Sequence, residues 1–516
     1  FLNTTMHDVE TEGHRITAIH CYQMTTEIEW TLRAPVFCDC TGNGTLGFMA
    51  GMPFRTGSEG KAEYHEPHAP EQPDQHRMGN TLLFKAVDRG HPVEFVPPKG
   101  SYTFTEEQLR YRKHADAKPL FGVLEAENKA DPILDNVDNT TKDMVFDAYC
   151  LDYGYWWIEL TGEKADIIEE YEDIRDELIK CVYGVWDHIK NGGDHGAQNF
   201  DLEWVGMLPG VRESRRMEGE YMLNENDLLE NRVFDDAVAY GGWPVDNHVE
   251  HGLLDFDKMP SEIYAFNGLY TIPYRSYVAK DMDNLFIGGR SMGASKLAMA
   301  SSRVMGTCAV GGQAVGTAAA LCKKYGCTPH EVEAYMKELQ QMLLKDDCYI
   351  PGYRNEDPAD LARAAQVSAG SEKQPAANVI NGVARTVGRN ENCWQSDGLA
   401  GDNGVLSLKW DAPHTLRQVR LTFDPNLCSS IKITLSSKRI AEQVPGVPPE
   451  LVRDYDVELL RDGQVLASRS VRGNYQRLNV LNFEACDCDE VRLHVLATNG
   501  IADARVYEVR AYEQAD

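Results

Sequence analysis

Three arginines near the middle of the chain could stabilise negative charge. Residues 208–228 read LPGVRESRRMEGEYMLNENDL, which places Arg212, Arg215 and Arg216 within five positions. The functional interpretation is an electropositive wall against a reduced cofactor or an anionic substrate group. The structural alternative is the start of a surface helix, in which Glu213 and Arg216 pair at i,i+3. We predict catalytic roles for Arg212 and Arg215.

Two further side chains could transfer protons. His248 ends the stretch GGWPVDNH, and Tyr274 lies within IPYRS. Chemistry on a C–H bond commonly needs a base nearby, so His248 and Tyr274 are the predicted proton-transfer residues. A single histidine among fifteen is also compatible with a structural role.

A glycine pattern near the start of the chain resembles part of a nucleotide-binding motif. Residues 34–53 read APVFCDCTGNGTLGFMAGMP, in which Gly42, Gly44 and Gly47 have G-x-G-x-x-G spacing after a short strand. A dinucleotide fingerprint also requires a full helix and an acidic residue after a second strand ~20 residues on. The helix here has barely two turns, and residues 54–76 contain no apolar run. The match is therefore not a complete dinucleotide motif.

A second glycine-rich segment has the form strand, turn, helix. Residues 284–324 read NLFIGGRSMGASKLAMASSRVMGTCAVGGQAVGTAAALCKK. Glycines inside a helix cost up to ~1 kcal/mol each relative to alanine. So many glycines indicate that something approaches the backbone closely. A neighbouring element of the protein would explain them, and so would a flat cofactor whose polar atoms meet the helix N-terminus.

The cysteines and the remaining histidines predict neither a disulfide framework nor a metal site. The thirteen cysteines are irregularly spaced in a long chain. Two C-D-C pairs and three histidines of a proline-rich loop lack partners at metal-ligand spacing; they are Cys38, Cys40, Cys486, Cys488, His65, His68 and His76. We therefore predict no bound metal.

Composition limits the partners of the chain. Its 516 residues suffice for two or three domains, and 51 Lys and Arg against 80 Asp and Glu give a net charge of −29. Such a surface repels phosphate backbones, so nucleic acid is not an expected partner. We find no apolar run of membrane-spanning length and expect a soluble protein without a membrane. The compartment, cytoplasmic or periplasmic, cannot be read from the sequence.

Hydrophobic periodicity divides the chain. Residues 1–53 are β-rich and begin in the middle of a sheet pattern, which suggests that an upstream segment exists. Residues 165–191 form an amphipathic helix, and residues 346–375 are a polar linker. Beyond the linker eight short alternating strands predict an antiparallel β-sandwich; they read VLSLKW, QVRLTFD, IKITLSS, DVELL, VLASRSV, LNVLNF, EVRLHVLA and VYEVRAY.

Residues 1–345 resemble the C-terminal two-thirds of a family of FAD-dependent oxidoreductases with the glutathione-reductase-like FAD fold. Four stretches carry the resemblance in the family's order: CDCTGNGTLGFMAG, the PGVRESRR segment, GGWPVDNH with IPYRS, and the closing NLFIGGRSMGASKLAMASSRVMGTCAVGGQAVGTAAAL. In the first, the chain of such proteins returns to the nucleotide domain, so the match at Gly42 is a return turn. The last stretch contacts the flavin in the family.

The resemblance implies FAD as the cofactor and a set of residues that contact it: Thr41, Gly42, Gly44, Gly288, Gly289, Arg290, Ser291, Ser295, Gly312 and Gln313. In the family the dinucleotide fingerprint precedes these motifs. We therefore expect a missing N-terminal segment, or a partner chain, to complete the FAD site.

Residues 376–516 resemble galactose-binding-like, discoidin-type modules. NVINGVARTVGRNENCWQSDG is similar to their opening, and EVRLHVLATNGIADARVYEVRAYE to their closing strand pair. Many such modules bind sugars, and others only pack against a catalytic domain.

The predicted architecture is an α/β FAD/NAD(P)-binding-type domain, incomplete at its N-terminus, followed by an all-β antiparallel sandwich. The predicted divisions are 1–345, the linker 346–375 and 376–516. The predicted function is hydride transfer between a small organic substrate, with a sugar or glycoside favoured, and FAD. The alternatives are reduction of an activated C=C bond with arginine as proton donor, and a carbohydrate-binding protein with an inert oxidoreductase half.

Overall fold

The computed structural model describes residues 1–112, 155–164, 166–193, 195–429, 431, 440–441 and 443–515. The chain divides into two compact units. Unit 1 contains Phe1–Leu339, and unit 2 contains most of the chain from Gln340 to Asp516.

Unit 1 is built from short strands. They are β1 Thr4–Glu12, β2 Arg15–Gln23, β3 Ile28–Leu32, β4 Phe37–Asp39, β5 Phe54–Arg55, β6 Asn80–Asp88, β7 Tyr155–Leu160, β8 Phe200–Val205, β9 Arg216–Met217, β10 Ala237–Gly241, β11 Val245–His248, β12 Ser261–Tyr264, β13 Tyr270–Pro273 and β14 Leu285–Ile287.

The described helices lie mainly in unit 1. The α-helices are α1 Thr45–Met49, α2 Lys61–Tyr64, α3 Glu106–Leu109, α4 Tyr171–Asn191, α5 Glu225–Leu229, α6 Lys296–Ser302, α7 Met305–Tyr325 and α8 Met336–Lys345. Short 3₁₀ helices span Gly252–Leu254, Tyr274–Tyr277, Gly289–Ser291, Pro329–Tyr335, Leu361–Ala364, Ala376–Ile380 and Gly401–Gly404.

Strands β4 and β14 position the candidate site, although they are far apart in the sequence. They pair in parallel, with Phe37 opposite Leu285 and Asp39 opposite Ile287. Both strands are three residues long and are followed by a turn that contains glycine. Because the carboxyl ends of parallel strands share one sheet edge, the two turns are brought together.

Helix α4 packs on the sheet β7-β6-β8 and forms an apolar core of unit 1 with it. The predicted stripe is buried at Ile174, Leu178, Val182, Val185 and Ile189. The helix begins at Tyr171 rather than at the predicted residue 165. The Glu170 carboxylate accepts hydrogen bonds from backbone amides at 163, 164 and 166, which keeps the preceding residues in turns.

Helix α7 corrects one expectation about membranes. By length and composition alone this helix is apolar enough to cross a bilayer, although the sequence was expected to contain no such run. Its residues Gly311, Ala314, Val315, Ala318 and Leu321 are buried within the protein. A core helix passes the same test of length and composition.

Unit 2 is an antiparallel β-sandwich, as predicted. Its strands are β15 Gln366–Ala369, β16 Trp394–Gln395, β17 Val405–Phe423, β18 Val452–Arg461, β19 Gln464–Val471, β20 Leu478–Thr498 and β21 Arg505–Tyr512. The first part of β17 pairs with β15 and the end of β20, while its last part pairs with β21 and the start of β20. Register shifts between these parts bend both long strands around the apolar core.

Two strand predictions merge in the structure. VLSLKW and QVRLTFD are both parts of β17, because His414–Leu416 between them also pairs with Cys486–Cys488 of β20. LNVLNF and EVRLHVLA are likewise one strand, β20. IKITLSS lies almost entirely outside the described residues.

The segment 346–375 is not a linker. Gln366–Ala369 pairs with Leu406–Lys409 of β17, and Ala362 and Ala365 lie in the sandwich core. This segment forms a 3₁₀ helix and an edge strand, which show little apolar periodicity. Its charged and proline-rich composition therefore looked like that of a linker. Unit 2 begins near Gln340 rather than at residue 376.

Candidate functional site

The turns after β4 and β14 meet at one place. The Arg290 guanidinium donates to Asn43 Oδ1 at 3.1 Å, and the Ser291 hydroxyl donates to the Gly42 carbonyl at 3.2 Å. Asp39 fixes the first turn, because its carboxylate accepts from the backbone N–H and the hydroxyl of Thr41. The predicted cofactor residues of both turns therefore form one cluster.

The segment Arg212–Arg216 connects this cluster to a buried region of charge. Ser214 Oγ lies 3.3 Å from Ser291 Oγ, and Arg215 Nη1 donates to the Asn43 carbonyl at 3.3 Å. On the other side, Glu213 pairs with Lys296 and Arg216 pairs with Glu59, and all four of these side chains are buried. The five residues Arg212–Arg216 thus contact both the turns after β4 and β14, called the cofactor turns below, and the two buried ion pairs.

The arginines do not form an unpaired positive wall. Arg212 Nη2 lies 2.8 Å from Glu159, and Arg216 Nη1 lies 2.9 Å from Glu59. The Arg215 guanidinium stacks 3.9 Å from the Phe48 ring centroid. The helical alternative also fails, because Arg216 lies in a strand and Glu213 pairs with Lys296.

His248 lies between two carboxylates. Its Nδ1 is 2.9 Å from Glu159, and its Nε2 is 3.3 Å from Asp246, which also pairs with Arg303 at 3.1 Å. Burial lowers the pKa of His248, but the charges of Glu159 and Asp246 outweigh it, and the pKa is raised overall. Burial similarly opposes ionisation of Glu159, yet Arg212 and His248 keep its pKa low. Ionised carboxylates only accept, so both ring nitrogens carry protons and His248 is an imidazolium.

A cavity of about 230 Å³ opens beside His248. Its wall is mostly polar and carries charges of both signs; it includes Ser58, Glu59, Glu66, His68, Asp74, His76, Asn247, His248, Glu250, Lys258, Glu262 and Lys296. Lys296 and Glu59 belong both to this wall and to the ion pairs of the Arg212–Arg216 segment. The cavity therefore lies next to the segment that reaches the cofactor turns.

His76 has the arrangement expected of a base in this wall. Its Nε2 lies 2.7 Å from the carbonyl oxygen of His248, which can only accept, so Nε2 carries the proton. The other ring nitrogen, Nδ1, is then the proton acceptor. Burial, followed by the charge of Lys296, lowers the pKa of His76, so the ring is neutral near pH 7.

Glu66 is a second titratable group of the wall. Burial raises its pKa to about 7, although the Ser295 hydroxyl and the backbone N–H of Glu225 donate to it. His68, unlike His76, has a carboxylate partner: its Nδ1 lies 2.5 Å from Glu225 Oε1. The His68 ring also stacks on the Tyr264 ring, with 3.7 Å between the ring centroids.

Helix α7 presents two kinds of glycine. A Cβ on Gly311 would lie 2.4 Å from the Tyr277 hydroxyl, so this glycine is required by packing. A Cβ on Gly306, Gly312 or Gly316 would meet no atom within 4 Å. Gly312 and Gln313, both predicted cofactor residues, are exposed on this open face.

Three predicted residues occupy other places than expected. The Tyr274 hydroxyl is buried and donates to the Pro329 carbonyl at 2.7 Å, so Tyr274 is not brought to the cavity. The Ser295 hydroxyl caps α6 and contacts Glu66, which places it behind the cavity wall. A Cβ on Gly288 would lie 2.6 Å from Cys40 Sγ, so packing within the protein requires a glycine at this position.

The sequence interpretation missed Glu59, Glu66 and His76, which lie in the loop regarded as solvated. Their partners are distant, since Glu59 lies 157 positions from Arg216 and His76 lies 172 positions from His248. The available signal was charge: a loop with this many acids and histidines faces a segment with three arginines.

The family model for FAD-dependent oxidoreductases matches residues 1–343. The chain belongs to this family. The predicted family is therefore confirmed: the protein is an enzyme, an FAD-dependent oxidoreductase, and FAD is its cofactor. The alternative of a carbohydrate-binding protein with an inert oxidoreductase half no longer applies.

Three solved structures are each similar to 30–31% of the chain of this oxidoreductase. A lectin domain of lectinolysin complexed with Lewis B antigen is 16% identical, with 31% of this chain and 99% of that chain covered and a TM-score of 0.23. A fucose-binding module of Streptococcus pneumoniae is 10% identical, with 31% and 100% covered and a TM-score of 0.24. A family 32 carbohydrate-binding module of C. perfringens in complex with galactose is 17% identical, with 30% and 98% covered and a TM-score of 0.22. Likeness at this level establishes no ligand for unit 2.

The comparison of the oxidoreductase with curated proteins gives no match.

The residues at the turns fit FAD. Gly289 has a φ of +71°, and a Cβ there would meet no atom within 4 Å. Arg290 Nε is buried without a hydrogen-bond partner among the described residues. Met305 at the start of α7 is 69% exposed, so the positive end of a 21-residue helix is accessible to an anionic or carbonyl group.

Proposed function

We propose that this oxidoreductase oxidises a hydroxyl-bearing organic substrate, a sugar or glycoside, in the cavity beside His76 and His248. The observation that carries the proposal is the Arg212–Arg216 segment. Ser214 and Arg215 touch the two cofactor turns, while Glu213 and Arg216 pair with the cavity residues Lys296 and Glu59. A substrate in the cavity is thereby adjacent to the region assigned to FAD.

The charge of the cavity supports a neutral, hydroxyl-rich substrate. Carboxylates in the wall outnumber cations; they are Glu59, Glu66, Asp74, Glu250 and Glu262, against Lys258, Lys296 and the His248 imidazolium. Carboxylates and a neutral imidazole accept hydrogen bonds from hydroxyl groups. An anionic substrate would be repelled by the same wall.

Oxidation of a hydroxyl to a carbonyl removes a hydride from carbon and a proton from oxygen. Bound FAD supplies the hydride acceptor. We assign the proton to His76 Nδ1, because that nitrogen is the unprotonated one and the residue lines the cavity. The His76 ring is oriented by the His248 carbonyl, and the His76 carbonyl accepts from Lys296 Nζ at 3.0 Å.

His248 and Arg212 are assigned positioning roles in this proposal. Both ring nitrogens of His248 face carboxylates, so the imidazolium cannot take a further proton. Arg212 holds Glu159, which in turn holds His248. Thr41–Gly44, Gly289–Ser291, Arg215 and the open face of α7 with Gly312 and Gln313 are proposed to hold FAD.

The alternative reaction, reduction of an activated C=C bond with arginine as proton donor, has less support. Arg212 and Arg216 are each committed to a buried glutamate, and Arg215 stacks on Phe48. An arginine held in an ion pair is a poor proton donor to a substrate.

The test uses the purified holoenzyme under anaerobic conditions. Flavin absorbance is followed after addition of neutral aldoses and glycosides, with the matching uronic acids as controls. We expect bleaching by a neutral sugar and much slower bleaching by its uronic acid. Equal bleaching by the uronic acid, or reoxidation of the reduced flavin only by an enoate, would contradict the proposed substrate class.

A further inference from the structure

A carboxylate and two imidazoles form a cluster outside the cavity and the cofactor turns. His188 Nε2 lies 3.0 Å from Glu106 Oε2, and His195 Nε2 lies 3.4 Å from the same oxygen. The ligand atoms of all three residues are within 4.8 Å of one another. These are donor types that bind divalent transition metals.

Local structure fixes Glu106. It is the first residue of α3, which starts with a capping box: the Thr105 hydroxyl accepts from the Gln108 backbone N–H, and the Gln108 side chain accepts from the Thr105 backbone N–H. This reciprocal cap defines where the helix begins and therefore where Glu106 stands. Leu109 anchors the same helix in the core of α4 and β6.

The two histidines are also held. His188 is in the last turn of α4 and is only 6% exposed. His195 follows the turn at Gly192 and Gly193, and a Cβ on Gly193 would lie 3.2 Å from His195 Nε2, so the glycine leaves room for the ring. The loop beyond is tied back by Lys190 Nζ, which donates to the Ala197 carbonyl at 2.8 Å.

Two of the three separations between ligand atoms are close to those of a tetrahedral zinc site. Zinc bonds to nitrogen and oxygen ligands are about 2.0–2.2 Å long, which places neighbouring ligands of a tetrahedron about 3.3–3.5 Å apart. The separations of 3.0 and 3.4 Å from Glu106 Oε2 to the two histidines are close to that value, and the histidine ligand atoms lie within 4.8 Å of each other. The Glu106 side chain is 66% exposed, so water can occupy a fourth position.

We propose that Glu106, His188 and His195 bind one Zn²⁺ with water as the fourth ligand. The sequence predicted no metal, because Glu106 lies 82 positions from His188 and the two histidines have no familiar zinc spacing. The ion joins the start of α3 to the end of α4 and its following loop. Its bond energy then adds to the stability of unit 1, because the unfolded chain lacks the site.

The experiment compares the full chain with Glu106→Gln and His195→Gln after removal of metal by a chelator. His91→Gln, at an exposed histidine outside the cluster, is the control variant. We expect wild type and control to take up one more Zn²⁺ than either cluster variant and to gain a few degrees in Tm on addition of zinc. Mg²⁺ should not replace zinc, because it prefers oxygen ligands.

Zinc bound elsewhere on the protein does not affect the conclusion, because the test compares the number of zinc ions bound by wild type with the number bound by each variant. The Cys38 and Cys40 thiols, 3.3 Å apart, are unchanged in all four proteins. Titration with Co²⁺ adds an independent readout, since tetrahedral Co²⁺ absorbs visible light strongly. We expect each cluster variant to weaken binding at this site by at least ~100-fold, since even outer-shell partners of a metal are worth 10–100-fold. Equal zinc uptake by wild type and His195→Gln, or no uptake by wild type, would overturn the proposal.

Discussion

Each unit has ion pairs in which both side chains are buried, and these pairs differ in how they are assembled. Unit 2 also pairs distant residues, such as Arg505 with Asp424, but at least one side chain of each such pair is partly exposed. In unit 2, Arg510 pairs at 2.7 Å with Glu508, two positions earlier on the same strand. In unit 1, Lys296 pairs with Glu213 across 83 positions and Arg216 pairs with Glu59 across 157. The pair of unit 2 needs one strand, whereas the pairs of unit 1 bring separate segments to one cavity.

The difference indicates what each set of charges is for. A buried ion pair seldom adds stability over well-packed neutral side chains of the same size. Charges collected from distant segments around a cavity are therefore better explained by binding and chemistry than by folding. We expect the pair in unit 2 to be replaceable and the pairs in unit 1 not to be.

The largest expected effect comes from breaking one pair in each unit. Lys296→Met leaves the buried Glu213 carboxylate without its cation, with the Met78 backbone N–H still donating to it, and Arg510→Met leaves the buried Glu508 carboxylate without its cation. Each single variant should lose about 3–5 kcal/mol in the free energy of unfolding, measured with denaturant. Only Lys296→Met should also abolish flavin reduction by substrate.

The double variants sharpen this result. Lys296→Met with Glu213→Gln, and Arg510→Met with Glu508→Gln, should each recover most of the lost stability. Turnover should be normal in the unit 2 double variant, as in Arg510→Met alone, and should stay low in the unit 1 double variant. A fully active Lys296→Met/Glu213→Gln enzyme would show that the charges of unit 1 serve folding alone.

The glycines of α7 give a smaller effect with opposite signs. Gly311→Ala should destabilise the protein, because its Cβ would lie 2.4 Å from the Tyr277 hydroxyl. Gly312→Ala has open space and should stabilise the FAD-free protein by up to ~1 kcal/mol, through helix propensity. Thermal melts report the stabilities, and absorbance reports the bound flavin. We expect Gly312→Ala to lower flavin content; full content would show that this face does not meet the cofactor.

The smallest expected effect is at Arg215. This guanidinium stacks on Phe48 and donates to the carbonyl of Asn43 in the return turn. Arg215→Ala should weaken FAD binding by about 2–5-fold, the equivalent of ~0.5–1 kcal/mol for an exposed cation–π contact. Fluorescence titration of the FAD-free protein measures the change, with Arg33→Ala, at an exposed arginine, as control. No change would remove Arg215 from the cofactor site.

Much of the fold followed from local patterns, and the site followed only in part. The alternation of residues 405–512 predicted the sandwich, and the strands before Gly42 and Gly288 predicted two turns that the sheet brings together. The register shifts that join predicted strands into the long strands β17 and β20 could not be predicted, because the alternation of apolar and polar residues is interrupted there. The sequence does not indicate the proposed role of His76, because its partner, the His248 carbonyl, is a backbone atom 172 positions away.

We propose that His76 accepts the substrate proton in a cavity beside the flavin. The most direct measurement is the rate of anaerobic flavin reduction by a neutral sugar substrate, as a function of pH, in wild type, His76→Asn and His68→Gln. His68 is the matched control, because it lines the same cavity but pairs with Glu225.

We expect His76→Asn to keep its flavin and to be reduced about 10²–10⁴-fold more slowly, while His68→Gln changes mainly the KM. Because burial lowers the pKa of His76 and a base acts when unprotonated, the wild-type rate should rise with pH to a plateau, with its midpoint below 6.5. An unchanged rate in His76→Asn, with a midpoint near the value of about 7 expected for Glu66, would contradict the account.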